Sequence, residues 1–244
     1  MHTKNLFCSI VVLTAGIFLV NQCFAEVNEL DSNFDGKVDQ WQYLSPDGKV
    51  AKIEHDGDFD GKVDQVEYFE GDKKLVRVEF DKNQDGSMDH FQYYNSNGKL
   101  ERIEKSTSLN GTIDSREFFG EDKKLERAEF DGSGDGKFDS VQYYDEHERL
   151  ARLESDTNGD GKPDRWSYFK SNNKIDRTAF DTNGSGKPDQ WQFYEDDGQT
   201  IKKVEYDTNG DSKADRWELF DGGRLSKIEL DRNFDGKVDL TQKK

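Results

Sequence analysis

The chain is short of the residues that usually staple a fold or carry out chemistry. Its only two cysteines, Cys8 and Cys23, fall in the first 25 of 244 residues. The remainder therefore has no disulfide, no thiolate metal site and no cysteine nucleophile. Of the four histidines, His55, His90 and His147 lie far apart at unrelated positions, and no H-E-x-x-H, G-x-S-x-G or phosphate-binding loop is present. Gly132-x-Gly134-x-Gly136 mimics part of a dinucleotide fingerprint only because a repeated loop passes through it. Hydrophobic residues are scarce at 32% and mean hydropathy is −1.06. Cations are outnumbered, 35 Lys+Arg against 52 Asp+Glu, for a net charge of −17. That surface repels nucleic acid and anionic membranes and attracts divalent cations. Aromatics at 12% are nevertheless too many for a disordered acidic tail.

The apolar residues are concentrated at one end. Residues 1–25 open with a single cation, Lys4, run apolar from Leu6 to Val20, and finish Cys23-Phe24-Ala25 before Glu26. This reads as a cleaved signal peptide, too short to be a comfortable bilayer span. Export to the periplasm, cell surface or exterior is expected, with no membrane insertion after cleavage. Loss of Lys4 takes the mature charge to 34 − 52 = −18.

Residues 26–244 form one domain of about nine copies of a 25-residue unit. Its opening residue falls at Asp31, Asp56, Asp81, Ser106, Asp131, Asp156, Asp181, Asp207 and Asp231. Counting that residue as position 1, the unit begins D-x-N-x-D-G-K-x-D. Positions 11 and 13 are mostly apolar, as in Trp41/Tyr43, Val66/Tyr68, Phe91/Tyr93 and Trp191/Phe193, with a polar residue between them. A spacing of two puts both on one face of a β-strand. Turn residues such as Pro46-Asp47-Gly48 follow, then a second strand with a cation at position 22 and an acid at position 24: Arg77/Glu79, Arg102/Glu104, Arg152/Glu154.

The pattern predicts an all-β chain of tandem β-hairpins, with stacked aromatic columns and cross-strand charge ladders holding neighbours together. Glu26–Leu30 matches a second-type strand and the residues after Asp239 a short first-type strand. An open superhelical sheet and a closed, propeller-like ring both accommodate these halves. The unit is short for a propeller blade, which favours the open form.

The loops have the composition of calcium sites. Calcium takes six to eight oxygens, and carboxylates on alternate residues converge as a chain curls, with glycine at position 6 allowing the sharp bend. The candidate ligands are Asp31, Asn33, Asp35 and Asp39; Asp56, Asp58, Asp60 and Asp64; Asp81, Asn83, Asp85 and Asp89; Asp131, Ser133, Asp135 and Asp139; Asp156, Asn158, Asp160 and Asp164. The remaining sets are Asp181, Asn183 and Asp189; Asp207, Asn209, Asp211 and Asp215; Asp231, Asn233, Asp235 and Asp239. Ser212 replaces the position-6 glycine and should strain its turn. Ser106/Ser108/Asn110 keeps one acid, Asp114, and reads as a loop that has lost its ion. About seven good sites are expected, with Ca2+ or a lanthanide as the ion. Asp, Asn and Gly also favour plain turns, but a turn has no evident need of an acid at position 9, where every copy has one. Without cations, the clustered carboxylates should repel one another.

These loops resemble the D-x-[DN]-x-D-G-x-x-D calcium loops of thrombospondin type 3 repeats and of FG-GAP repeats in integrin-type propellers. Lys162-Pro163-Asp164 and Lys187-Pro188-Asp189 are especially FG-GAP-like. The resemblance implies that the position-9 aspartates, Asp39 through Asp239, are direct ligands. It covers the loops and not the whole unit, since thrombospondin repeats are cysteine-rich and FG-GAP units are longer. Only half of an EF-hand is matched, because position 12 is Gln42, Glu67 or Ser167 on a strand.

The expected function is an exported calcium-binding repeat protein, a structural or adhesive module rigidified by Ca2+, with an unknown protein or glycan partner and no enzymatic activity. The alternative is a secreted carbohydrate-binding or enzyme-accessory protein using exposed Trp166, Trp191 and Trp217.

Overall fold

The structure, a computed structural model, describes residues 24, 26–71 and 73–244. The expected leader, residues 1–25, lies outside these except for Phe24. The described residues contain 18 strands and no helix, so the chain is all-β. It divides into two compact units, residues 1–123 and 124–244.

In the first unit the strands are β1 (Glu26–Leu30), β2 (Gln40–Leu44), β3 (Val50–His55), β4 (Gln65–Glu70), β5 (Lys74–Phe80), β6 (His90–Tyr94), β7 (Leu100–Lys105) and β8 (Ser115–Phe119). The second unit begins with β9 (Leu125–Phe130), β10 (Ser140–Tyr144), β11 (Leu150–Ser155), β12 (Arg165–Phe169) and β13 (Ile175–Phe180). It continues with β14 (Gln190–Tyr194), β15 (Ile201–Tyr206), β16 (Arg216–Asp221), β17 (Arg224–Leu230) and β18 (Leu240–Lys243). Within each unit every strand pairs antiparallel with the next. Among the described residues no pairing joins the first and last strands of either unit. The 18 strands belong to one sheet, which is open, as the short repeat favoured.

The register repeats with the sequence. Position 11 faces position 24 and position 13 faces position 22, as in Trp41↔Glu54 and Tyr43↔Lys52. One face therefore carries the row Tyr43, Lys52, Tyr68, Arg77, Tyr93, Arg102, in which rings and cations alternate. The expected ring-on-ring columns are replaced by this interleaving, because a second-type strand always separates two first-type strands. The Arg77 guanidinium lies 4.1 Å from the Tyr68 ring centre, that of Arg102 4.2 Å from Tyr93, and that of Arg152 4.0 Å from Tyr143. Each such contact contributes about 0.5–1 kcal/mol. The same cations pair with the acid two residues on: Arg77–Glu79 at 2.8 Å and Lys52–Glu54 at 2.6 Å. These ion pairs run along one strand, where cross-strand ladders were expected; Arg116–Glu104 at 3.2 Å is a cross-strand exception.

A bulge ends each hairpin. Tyr43 faces Lys52 but Leu44 faces Val50, leaving Ala51 over, and the same step recurs at Tyr68/Phe69 and Tyr93/Tyr94. The extra residue bends and twists the strand. The only apolar residues fully buried among those described are Val66, Val78, Ala128, Ala179 and Val204. A one-layer sheet half-buries many side chains and fully buries few, which accounts for the lean apolar composition.

Candidate metal centres

Each loop leaves a second-type strand, curls through nine residues and enters the next first-type strand. Its curl is set by two left-handed residues. Position 6 is one: Gly36 has φ 91° and Gly61 φ 93°. The other, position 4, was not anticipated. Phe34 (φ 62°), Phe59 (64°), Gln84 (62°), Leu109 (54°) and Phe234 (60°) adopt it despite carrying a Cβ. The other copies hold Gly134, Gly159, Gly184 and Gly210 there, and that glycine bias was the available signal. A left-handed non-glycine residue costs about 1–2 kcal/mol. As expected, Ser212 is held in the strained region, at φ 70°.

The curl turns backbone N–H groups inward, and the acidic side chains accept them. In the first loop Asp31 accepts from Asp35 N (3.1 Å) and Gly36 N (2.8 Å). Asn33 Oδ1 accepts from Asp35 N at 2.9 Å, and Asp35 Oδ1 from Lys37 N at 2.8 Å. Asp39 closes the loop by accepting from Ser32 N (3.0 Å) and Asn33 N (3.3 Å). The loops opened by Asp56, Asp81 and Asp231 repeat this scheme, and that opened by Asp156 does so with Gly159 N in place of the position-5 donor; Asp64, Asp89, Asp239 and Asp164 are the closing acids. Asp139 does the same for Ser133, Asp189 for Thr182 and Asp215 for Thr208. The position-9 acid thus has a turn function that the sequence reading did not foresee, and its presence in every copy is not by itself a mark of metal.

Electrostatics also departs from expectation. Burial pushes the Asp39 carboxyl up, but the donors of Ser32 and Asn33 outweigh it and hold it below the ordinary value. Asp131, Asp156 and Asp181 show the same balance, with burial opposed by Gly136, Gly161 and Gly186 N–H. At Asp85 the main cause of lowering is the Asn83 amide. At these five carboxylates hydrogen-bond donors stabilise the charged form and offset the repulsion of neighbouring acids.

In the second loop Asp56, Asp58 and Asp64 each present an oxygen within 4.8 Å of the others. Asp60 lies outside this group; it accepts from Lys62 N at 2.8 Å. Elsewhere position 3 is Asn or Ser, and at Asn33, Asn83 and Asn233 the side-chain amide donates to position 5, as in Asn83 Nδ2 to Asp85 Oδ2 at 2.9 Å. A carboxylate has about four lone-pair directions, so accepting one or two N–H bonds leaves oxygens able to ligate a hard cation. Successive loops are tied by Asp56 N to Asp39 O (2.9 Å) and Asp81 N to Asp64 O (2.8 Å).

The copy beginning at Ser106 keeps the curl. Ser106 Oγ accepts from Asn110 N at 3.1 Å and Asp114 from Thr107 N at 2.8 Å. Outside the loops, Trp41, Trp166, Trp191 and Trp217 are half-buried, a poorer stacking platform than exposed rings would be. The histidines sit apart: His55 lies 3.8 Å from Glu67, and His90 3.3 Å from Gln92.

No family model matches the chain, and no curated protein does. Among solved structures it is similar to a crystal structure of accessory secretory protein 1, 2 and 3 of Streptococcus pneumoniae, at 15% identity and a TM-score of 0.28, over 47% of this chain and 22% of that one. It is also similar to the Photorhabdus luminescens Tc holotoxin pore, at 10% identity and a TM-score of 0.22, over 85% of this chain and 13% of that one. The chain thus spans less than a quarter of either.

Proposed function

We propose that this is an exported calcium-binding repeat protein, a structural or adhesive module whose loops are stiffened by Ca2+. The observation that carries the reading is the convergence of Asp56, Asp58 and Asp64 in a loop whose curl is repeated along the chain. The loops are already curled by their own hydrogen bonds, so the ion's part is to neutralise and stiffen them rather than to create the fold. The chain lacks the bidentate glutamate of an EF-hand, so affinities of about 10⁻⁴–10⁻³ M are expected, suited to a calcium-rich compartment. Ligands from the chain are the oxygens of positions 1, 3 and 9, with position 5 where it is acidic. Calorimetric titration with Ca2+ tests this: binding of about seven ions is the expected result, and no heat at millimolar calcium overturns it.

A further inference from the structure

The two terminal strands of the described chain are complementary halves of one hairpin. Among the described residues β1, a second-type strand, pairs only with β2, and all five of its residues are exposed. β18 is a first-type strand paired only with β17, and Thr241, Gln242 and Lys243 are exposed. We propose that the chain assembles head to tail, with β18 of one copy pairing antiparallel with β1 of the next in the register of its own hairpins.

That register sets Thr241 opposite Glu29 and Lys243 opposite Val27 of the next copy, as Trp41 lies opposite Glu54 and Tyr43 opposite Lys52. Four features fit the joint. Charge is the first. In the internal hairpins the position-24 acid is paired by a cation at position 22, for example Lys203–Glu205 at 2.7 Å. Glu29 has Val27 at that place, while Lys243 occupies the position where every other first-type strand except β16, with Leu219, carries an aromatic ring. The missing cation is thus supplied from the opposite strand. Lys243 also lies directly opposite Lys227, which already holds Glu229 at 2.8 Å. A second carboxylate from Glu29 would balance that pair of like charges.

The second feature is the backbone link between loops. Internal loops join through the position-1 N–H and the preceding position-9 carbonyl, as in Asp231 N to Asp215 O at 2.8 Å. Asp31 N and Asp239 O are the two halves of one more such bond. Third, Phe59 lines a cleft with Asn33 and Asp35 of the preceding loop and is 45% exposed, whereas Phe34, in the first loop of the described residues, is 90% exposed. In the joint, Phe34 would meet Asn233 and Asp235. Fourth, β1 carries Glu26 and Glu29 while β18 and the next residue carry Lys243 and Lys244. Like edges repel and unlike edges attract, which opposes β1–β1 and β18–β18 pairing. Contacts of this head-to-tail kind extend into a filament unless the rotation closes. The inference rests on strand register and edge charge and does not depend on metal.

Sedimentation of the exported chain with its leader removed tests the proposal. The expected result is a weight-average mass that climbs with concentration through multiples of the protomer. Lys243→Glu should weaken association about tenfold, and adding Glu29→Lys should restore it, with circular dichroism unchanged in each. Phe34→Gly should weaken association while leaving the protomer folded. After leader removal the only thiols in Asn28→Cys/Gln242→Cys are the two introduced, which face each other in the joint. Oxidation should give a ladder of covalent oligomers. A monomer at every concentration, an internal disulfide in a single chain, or association indifferent to both charge reversals overturns the proposal.

Discussion

The loop opened by Asp56 and the loop opened by Ser106 have one backbone path and very different side chains. Both place a left-handed residue at position 4 (Phe59, Leu109) and glycine at position 6 (Gly61, Gly111). In both a position-9 acid accepts from positions 2 and 3, and a position-1 oxygen accepts from position 5. Yet the first has Asp at positions 1, 3 and 5 where the second has Ser, Ser and Asn. The curl therefore needs acceptors, of which one acid suffices. The additional carboxylates of the Asp56 loop are surplus to the turn, and that surplus supports a cation-binding role more strongly than the recurring position-9 acid does.

The largest expected effect falls on what the two loops share. Asp64→Ala and Asp114→Ala each remove the acceptor of two N–H groups in exposed loop residues, at a cost of about 1–3 kcal/mol in unfolding free energy. Urea denaturation in chelator should show losses of similar size in both variants. A much smaller loss at Asp114 would mean that the two turns are held differently.

The next effect falls on what the loops do not share. Asp58→Ser copies Ser108 into the Asp56 loop, and should remove one calcium equivalent while changing stability in chelator by less than about 0.5 kcal/mol. The reciprocal triple change, Ser106→Asp with Ser108→Asn and Asn110→Asp, should add one equivalent by calorimetry. If Asp58→Ser leaves the stoichiometry unchanged, the Asp56 cluster is not a site.

Much of this was legible in the sequence. The 25-residue period, the spacing of two at Trp41/Tyr43 and the turn at Pro46-Asp47-Gly48 announce hairpins, because β-strands and turns are coded locally. The bulge beside Ala51 was hidden, since a bulge depends on how two strands are matched rather than on either one. The left-handed position 4 was masked by Phe34, Phe59 and Phe234, which occupy a conformation their side chains disfavour. The turn function of Asp39 could not be separated from a ligand function, because the same carboxylate serves both and composition records only its presence.

Acid titration sharpens the comparison further. At Asp114 burial raises the carboxyl, and the N–H and O–H donors of Thr107 and Ser108 outweigh it, leaving it below the ordinary 3.8. A depressed folded-state value stabilises the fold above the unfolded value, and that stabilisation is lost as pH falls through the lowered one. Asp131 and Asp156 behave alike. In chelator, stability should hold level from neutrality to about pH 4 and then fall. NMR titration should place Asp114 with Asp131 and Asp156 rather than apart; an Asp114 value above the ordinary one would contradict the shared hydrogen-bond scheme.

The smallest effect on calcium binding concerns Ser212, the one non-glycine at position 6. It keeps its N–H bonded to Asp207 at 2.8 Å while sitting at φ 70°. Glycine adopts that conformation freely but loses more backbone entropy on folding. The strain relieved, about 1–2 kcal/mol, exceeds the added entropy cost of about 0.5–1 kcal/mol. Ser212→Gly should therefore stabilise the chain by about 0.5–1 kcal/mol, read as a raised urea midpoint. The same change should leave the calcium affinity of the Asp207 loop within about threefold, because Asp207 keeps its backbone donor. A destabilised variant would show that the Ser212 side chain contributes more to the loop than its backbone costs.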